Sequence, residues 1–249
     1  MPKTTKGHLQ TLDGVQLAYT RTIGQTPGIV FLGGFRSDMT GIKAQALEKF
    51  CLENNKSFVR FDYRGHGTST GSFEESTIST WTMDTLSVID SLTEGPQILV
   101  GSSMGGWIMV LAALARKSLI SALVGIAPAP DFTKRLLEDE LNKEQLADLR
   151  QTGRAHIYSP YSEEPYLFTK LLIEDGQKNL VLGGTINLQC PVRLIHGLRD
   201  SSVPWKTSIK LAEALDASDV ELTLMKHGDH RLSDPDSIEK LIQTVRDLS

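Results

Sequence analysis

The chain has little cysteine, no surplus of positive charge and no uninterrupted apolar span. Two cysteines stand in 249 residues, Cys51 and Cys190. Two thiols make no disulfide framework, and neither lies in a CxxC or a zinc-type Cys/His spacing. They are expected to be reduced, buried thiols. Lys and Arg number 26 against 30 Asp and Glu, a net charge of −4, which argues against a nucleic-acid partner. The first six residues hold no apolar segment of the kind that directs secretion. One stretch lacks charge over a membrane-spanning length, the 21 residues 95–115. Its middle reads Gly101-Ser102-Ser103-Met104-Gly105-Gly106, which would break a membrane helix. A buried strand, a sharp turn and a buried helix are expected there, with no transmembrane segment.

What is present is a globular composition, 40% hydrophobic and 22% charged. A chain of this length buries roughly 70–75% of its extended surface and needs no disulfide or metal to fold. Short β-branched runs alternate with longer helical stretches, which predicts one α/β domain with a mainly parallel sheet flanked by helices. Residues 8–22 read as a hairpin turned at Asp13-Gly14. Strands are expected at 28–32, 57–63, 97–100, 122–126, 192–195 and 220–225. Helices are expected at 41–54, 80–92, 104–115, 206–215 and from Pro235 onward. Between 131 and 189 the alternation stops. Residues 132–149 are charged and amphipathic, and 166–175 has room for a second helix. A structureless loop of that length is uncommon, so an inserted helical lid over 131–189 is expected.

Gly101-Ser102-Ser103-Met104-Gly105 fits G-x-S-x-G and lies between an expected strand and an expected helix, as a nucleophile elbow requires. The turn is so abrupt that neighbours of Ser103 have no room for side chains. Ser103 is then the candidate nucleophile, and the Met104 N–H at the helix start points at the same place. The alternative is a Gly/Ser-rich turn without chemistry. A serine hydroxyl needs a base, and the base an orienting acid, in the chain order Ser, acid, His. Asp200, in His196-Gly197-Leu198-Arg199-Asp200 after the 192–195 strand, is the acid candidate; Asp216, Asp219 and Asp229 follow no core strand so directly. Two histidines compete as base in His227-Gly228-Asp229-His230. His230, further into the loop, has the better reach. A metal site from this pair lacks a third ligand with supporting spacing. Leu32-Gly33-Gly34-Phe35 offers the Phe35 N–H as second oxyanion donor. Asp62-Tyr63-Arg64-Gly65-His66-Gly67-Thr68 lacks a phosphate-loop ending and is expected to brace the loops around the site. Tyr158, Tyr161, Tyr166 and Phe168 cluster in the expected lid, where they either line an acyl pocket or pack the lid onto the body.

The set Gly33-Gly34-Phe35, DYRGHGTS, GSSMGGW, HGLRDSSVPW and KHGDHR resembles the α/β-hydrolase superfamily. Within it, RFDYRGHGTS, EEST, GPQILVGSSMGGW, YSEE and CPVRLIHGLRDSSVPW are similar to the mitochondrial palmitoyl-protein thioesterase and acyl-glucuronide esterase family. The resemblance runs from about Leu17 to the C-terminus and is strongest around the three triad loops. It implies an α/β-hydrolase fold with Ser103 as nucleophile, Asp200 as acid and His230 as base, settling the choice of histidine. It implies no cofactor and a small-molecule or S-acylated protein or peptide substrate. The superfamily's usual His-Gly oxyanion loop is Gly33-Gly34 here, and the lid matches least, apart from Tyr161-Ser162-Glu163-Glu164. No transit peptide is visible, so the expected setting is a bacterial cytoplasm, or the mitochondrial matrix for a trimmed mature form. The expected activity is hydrolysis of acyl thioesters or esters. Its rivals are an acyl-glucuronide or small-ester esterase and, from another class, a non-catalytic binding protein of the same fold, which would lose triad residues that this chain keeps.

Overall fold

The computed structural model describes residues 3–158 and 164–249. The chain opens with a hairpin, β1 (Lys3–Gln10) and β2 (Gln16–Ile23), and continues through β3 (Gln25–Leu32), α1 (Ile42–Glu53), β4 (Lys56–Phe61), α2 (Ile78–Leu92), β5 (Gln97–Ser102), α3 (Met104–Ala115) and β6 (Ile120–Ile126). An inserted segment holds α4 (Phe132–Arg135), α5 (Lys143–Thr152), β7 (Arg154–Ile157), β8 (Tyr166–Thr169) and α6 (Lys170–Lys178). The frame resumes with β9 (Val192–Gly197), α7 (Lys206–Ala214), β10 (Val220–Met225) and α8 (Pro235–Leu248).

Eight strands form one sheet in the order β1-β2-β4-β3-β5-β6-β9-β10. Only the β1/β2 and β2/β4 pairs among them are antiparallel. The central strands are apolar on both faces, as a sheet covered on both sides requires. Ile29 and Phe31 of β3 join Ile98 and Val100 of β5 under α1 and α8. Their alternates Val30, Leu32 and Leu99 pack under α2 and α3. The period of two thus feeds two separate cores. Among the described residues no helix is long and apolar enough to cross a membrane. Cys51 is buried and Cys190 only half-buried, and both are free thiols. Burial pushes the Cys51 thiol up to about 12, which leaves it unreactive.

The inserted segment departs from the helical expectation. Instead of one amphipathic helix over 132–149, α4 widens into a π-type turn at Leu136–Glu140 and stops at Leu141. A new helix, α5, then starts at a capping box in which Asn142 and Gln145 satisfy each other's backbone N–H. Where a helix was expected over 166–175, β8 comes first and pairs antiparallel with β7. The Thr169 hydroxyl then caps α6 by accepting from Leu172 N–H at 3.1 Å. The neck of the insertion is closed by Asp131. This left-handed residue (φ 57) accepts from Val181 N–H at 2.8 Å and Leu182 N–H at 2.9 Å.

Candidate active site

Ser103 lies between β5 and α3 at φ 54, ψ −119, a backbone conformation that costs a non-glycine residue about 1–3 kcal/mol. The surroundings over-determine it. Its N–H donates to the Ile126 carbonyl at 2.9 Å, and its own carbonyl accepts from Gly106 and Ala129 N–H at 2.8 and 3.0 Å. Gly105 has no alternative here, because a Cβ would collide with the backbone carbonyls of Leu32 and Gly33.

The sequence candidates Ser103, Asp200 and His230 come together although they lie on three different loops. His230 Nε2 stands 3.1 Å from Ser103 Oγ, and His230 Nδ1 stands 2.7 Å from Asp200 Oδ2. An ionised carboxylate only accepts, so Nδ1 carries the hydrogen and Nε2 faces the serine as an acceptor. Asp200 Oδ1 accepts from Ser202 and Val203 N–H, each at 2.8 Å. Burial alone would push the Asp200 carboxyl up. The hydrogen bonds from His196 and His230 outweigh it and hold the carboxyl well below its ordinary value. His227 is exposed and lies outside this chain of contacts.

Sequence reasoning assigned nothing to His196. It is fully buried on β9, and its Nε2 stands 3.1 Å from the same Asp200 Oδ2 that faces His230. A buried histidine within a strand gives the same signal as a core residue, so only the strand-end motif around it could have raised it.

Ser103, Met104, His230, Gly34 and Phe35 border a cavity of about 790 Å³. Phe35 is the hub of its aromatic wall. Its ring stacks on Phe168 at 4.9 Å between centroids and 2° between planes, and meets Tyr166 and Phe132 edge-on. Leu136, Ile157 and Tyr158 of the insertion also line the cavity. Tyr161 lies outside the described residues. The cavity wall also carries charged groups. Arg135 meets Glu140, the Lys43 ammonium donates to the Arg231 carbonyl, and burial pushes Lys43 down to about 8 against the pull of Asp229.

The segment after β4 braces the loop after β3 through Asp62, as expected, whereas the Arg64 side chain ties α2 to the β1–β2 turn instead of bracing a loop of the site. Asp62 accepts from Met39 and Thr68 N–H at 2.7 and 2.9 Å, and Arg64 clamps the buried Asp84 at 2.8 Å and Asp13 at 2.7 Å. His66 has a more direct part. Its Nδ1 faces the Arg64 carbonyl, so its Nε2 accepts from Arg36 N–H at 3.2 Å, fixing the residue after Phe35. Burial pushes His66 down to about 4, which keeps that acceptor unprotonated. Among the described residues no group of three His, Cys, Asp or Glu side chains gathers as a metal site.

A serine at a strained strand-to-helix turn, on the C-terminal edge of a mainly parallel sheet, defines a class that comparison with known proteins also returns. The chain belongs to the α/β-hydrolase family described as serine aminopeptidase, S33, whose model matches residues 29–160. It is a hydrolase. Among individual proteins it is 43% identical to the human palmitoyl-protein thioesterase ABHD10, mitochondrial, over 99% of this chain and 80% of that protein. The solved structure of a putative hydrolase from Agrobacterium vitis S4 superposes with a TM-score of 0.94 at 40% identity, covering 100% of this chain and 99% of that one. The mouse α/β-hydrolase domain-containing protein 10 gives 0.91 at 40% identity, with 98% of each chain covered.

Proposed function

We propose that the protein hydrolyses acyl thioesters or esters by a Ser-His-Asp mechanism through an acyl-enzyme. The observation that carries the reading is the unbroken contact chain Asp200–His230–Ser103 opening into an aromatic-walled cavity. Ser103 Oγ attacks the acyl carbonyl while His230 Nε2 takes its proton. The N–H groups of Met104 and Phe35 receive the oxyanion; neither donates to another protein group among the described residues. His230 returns the proton to the leaving thiol or alcohol, and the acyl group stays on Ser103. Water then attacks under the same base and frees the acid. Asp200 holds the imidazole in its working tautomer and stabilises the charged form. The cavity wall of Phe35, Tyr166 and Phe168 suits an acyl chain, and the likeness to palmitoyl-protein thioesterases supports a long one.

A fluorophosphonate probe is expected to label Ser103, and Ser103→Ala to lose both labelling and turnover of S-acyl and p-nitrophenyl ester substrates. Undiminished labelling of Ser103→Ala would overturn the assignment.

A further inference from the structure

Asp200 is held on more sides than its partnership with His230 requires. Oδ1 is fixed by the Ser202 and Val203 N–H groups, and Oδ2 is shared by two imidazoles, His230 at 2.7 Å and His196 at 3.1 Å. His196 Nε2 also faces the Val203 carbonyl at 3.0 Å. Both neighbours of that nitrogen are acceptors, so Nε2 carries a hydrogen. Its other nitrogen, Nδ1, lies 2.7 Å from the hydroxyl of Ser208 on α7, which donates to it when the ring is neutral. Both His196 and Ser208 are wholly buried, so no water substitutes for these contacts. The ring is therefore fixed in position and tautomer by one helix and one loop, and it presents a donor to the carboxylate.

We propose that His196 is a positioning residue for the reaction, acting through Asp200 on His230. Two N–H bonds to Oδ1 leave a carboxylate free to rock about that oxygen. The His196 donor fixes Oδ2, and with it the direction in which His230 Nε2 faces Ser103. It also draws charge from Oδ2, so the Asp200–His230 pair takes up a proton less readily than it would with His230 alone. The titratable groups in this line are His196 itself, on β9, Asp200, on the loop after β9, and His230, on the loop after β10; α7 contributes the uncharged Ser208. The inference rests on the Ser103–His230–Asp200 reading above.

The test is a substitution series assayed with p-nitrophenyl butyrate across pH, with melting temperature measured on each variant. His196→Leu fills the space without a donor. His196→Gln places an N–H near the position of Nε2, and His196→Asn is polar but too short to reach Asp200. His196→Leu and His196→Asn are expected to lose about 10- to 100-fold in kcat with KM little changed, the scale of a small misplacement at a reacting centre. The acid limb of kcat/KM is expected to move up by roughly half to one pH unit, about half of the ~1–2 units that a hydrogen bond to a charged group is worth, because His196 acts on His230 only through Asp200. His196→Gln is expected to restore both kcat and the acid limb. If His196→Leu does not fold, the Gln and Asn pair carries the comparison alone. An unmoved acid limb across the series, or a loss in kcat that His196→Gln fails to rescue, would overturn the inference and leave His196 as core packing. Ser103→Ala runs alongside. If it is inactive while the His196 series is flat, only the inference fails; if it stays active, the reading beneath it fails as well.

Discussion

His230 and His227 stand three positions apart, and the structure gives them opposite surroundings. His230 bridges Asp200 and Ser103, whereas His227 is exposed at the end of β10. His230→Ala is expected to lower kcat by about 10⁴ or more, as loss of a triad base does, and His227→Ala to leave it within a few-fold. Steady-state turnover of one ester by both variants decides this, and the reverse ranking would place the base at His227. The elbow serine was legible in the sequence because its chemistry demands glycines at fixed spacing. The acid and base were legible as residues following strands. His196 was not legible, because its significance lies in which oxygen of Asp200 it reaches, and no spacing encodes that.

Among the elements, the frame could be read from period and punctuation; the helix Met104–Ala115 and the strand Val220–Met225 have the expected bounds. The insertion could not. Tyr166-Leu167-Phe168-Thr169 is a short apolar run that periodicity alone cannot divide between strand and helix, and β7 is only four residues long. Pairing between the two, across residues 158–165, decides the outcome. The same hairpin carries Tyr166 and Phe168, which touch Phe35 in different ways, and this separates two predictions. Each buried methylene of an acyl chain is worth about 0.8 kcal/mol, so kcat/KM is expected to climb with chain length until the cavity is filled. Tyr166→Ala, which removes wall edge-on to Phe35, is expected to flatten that climb while sparing acetyl esters. Phe168→Ala removes the ring stacked flat on Phe35, whose N–H is the proposed oxyanion donor, and is expected to slow all chain lengths together. A chain-length series of p-nitrophenyl esters on both variants measures this, and equal losses for Tyr166→Ala at every length would reduce that residue to packing.

At the scale of the whole molecule, one buried histidine makes stability depend on acid, against the buried Asp62, Asp84 and Asp131, whose carboxyls burial pushes up and which act in the opposite direction. His66 is buried at 4% exposure, and its folded value of about 4 lies below the ordinary 6.5. The unfolded chain therefore takes up that proton first. Stability is complete above about 6.5, falls as pH drops from there to about 4, and loses nothing more from this group below that. The full difference is on the order of 3 kcal/mol. Asp200, held below its ordinary value, adds a loss that begins only at lower pH, as the unfolded carboxylate starts to protonate. Urea unfolding between pH 7 and 4 is expected to lose more stability towards acid in the native protein than in His66→Gln, whose side chain does not titrate; an equal slope in both proteins would exonerate His66. The clasp at Asp131 has a consequence at this scale as well. Because one carboxylate ties the departing chain to the returning backbone at Val181 and Leu182, the excursion between them begins and ends at nearly the same point. The frame meets that excursion again farther on, where the Trp107 indole N–H donates to the Asn179 carbonyl and the Ser79 N–H donates to the Asp175 carboxylate. A transplanted roof must therefore bring partners for Trp107 and Ser79 as well as for the clasp, so cargo can change only with a roof that keeps all three moorings.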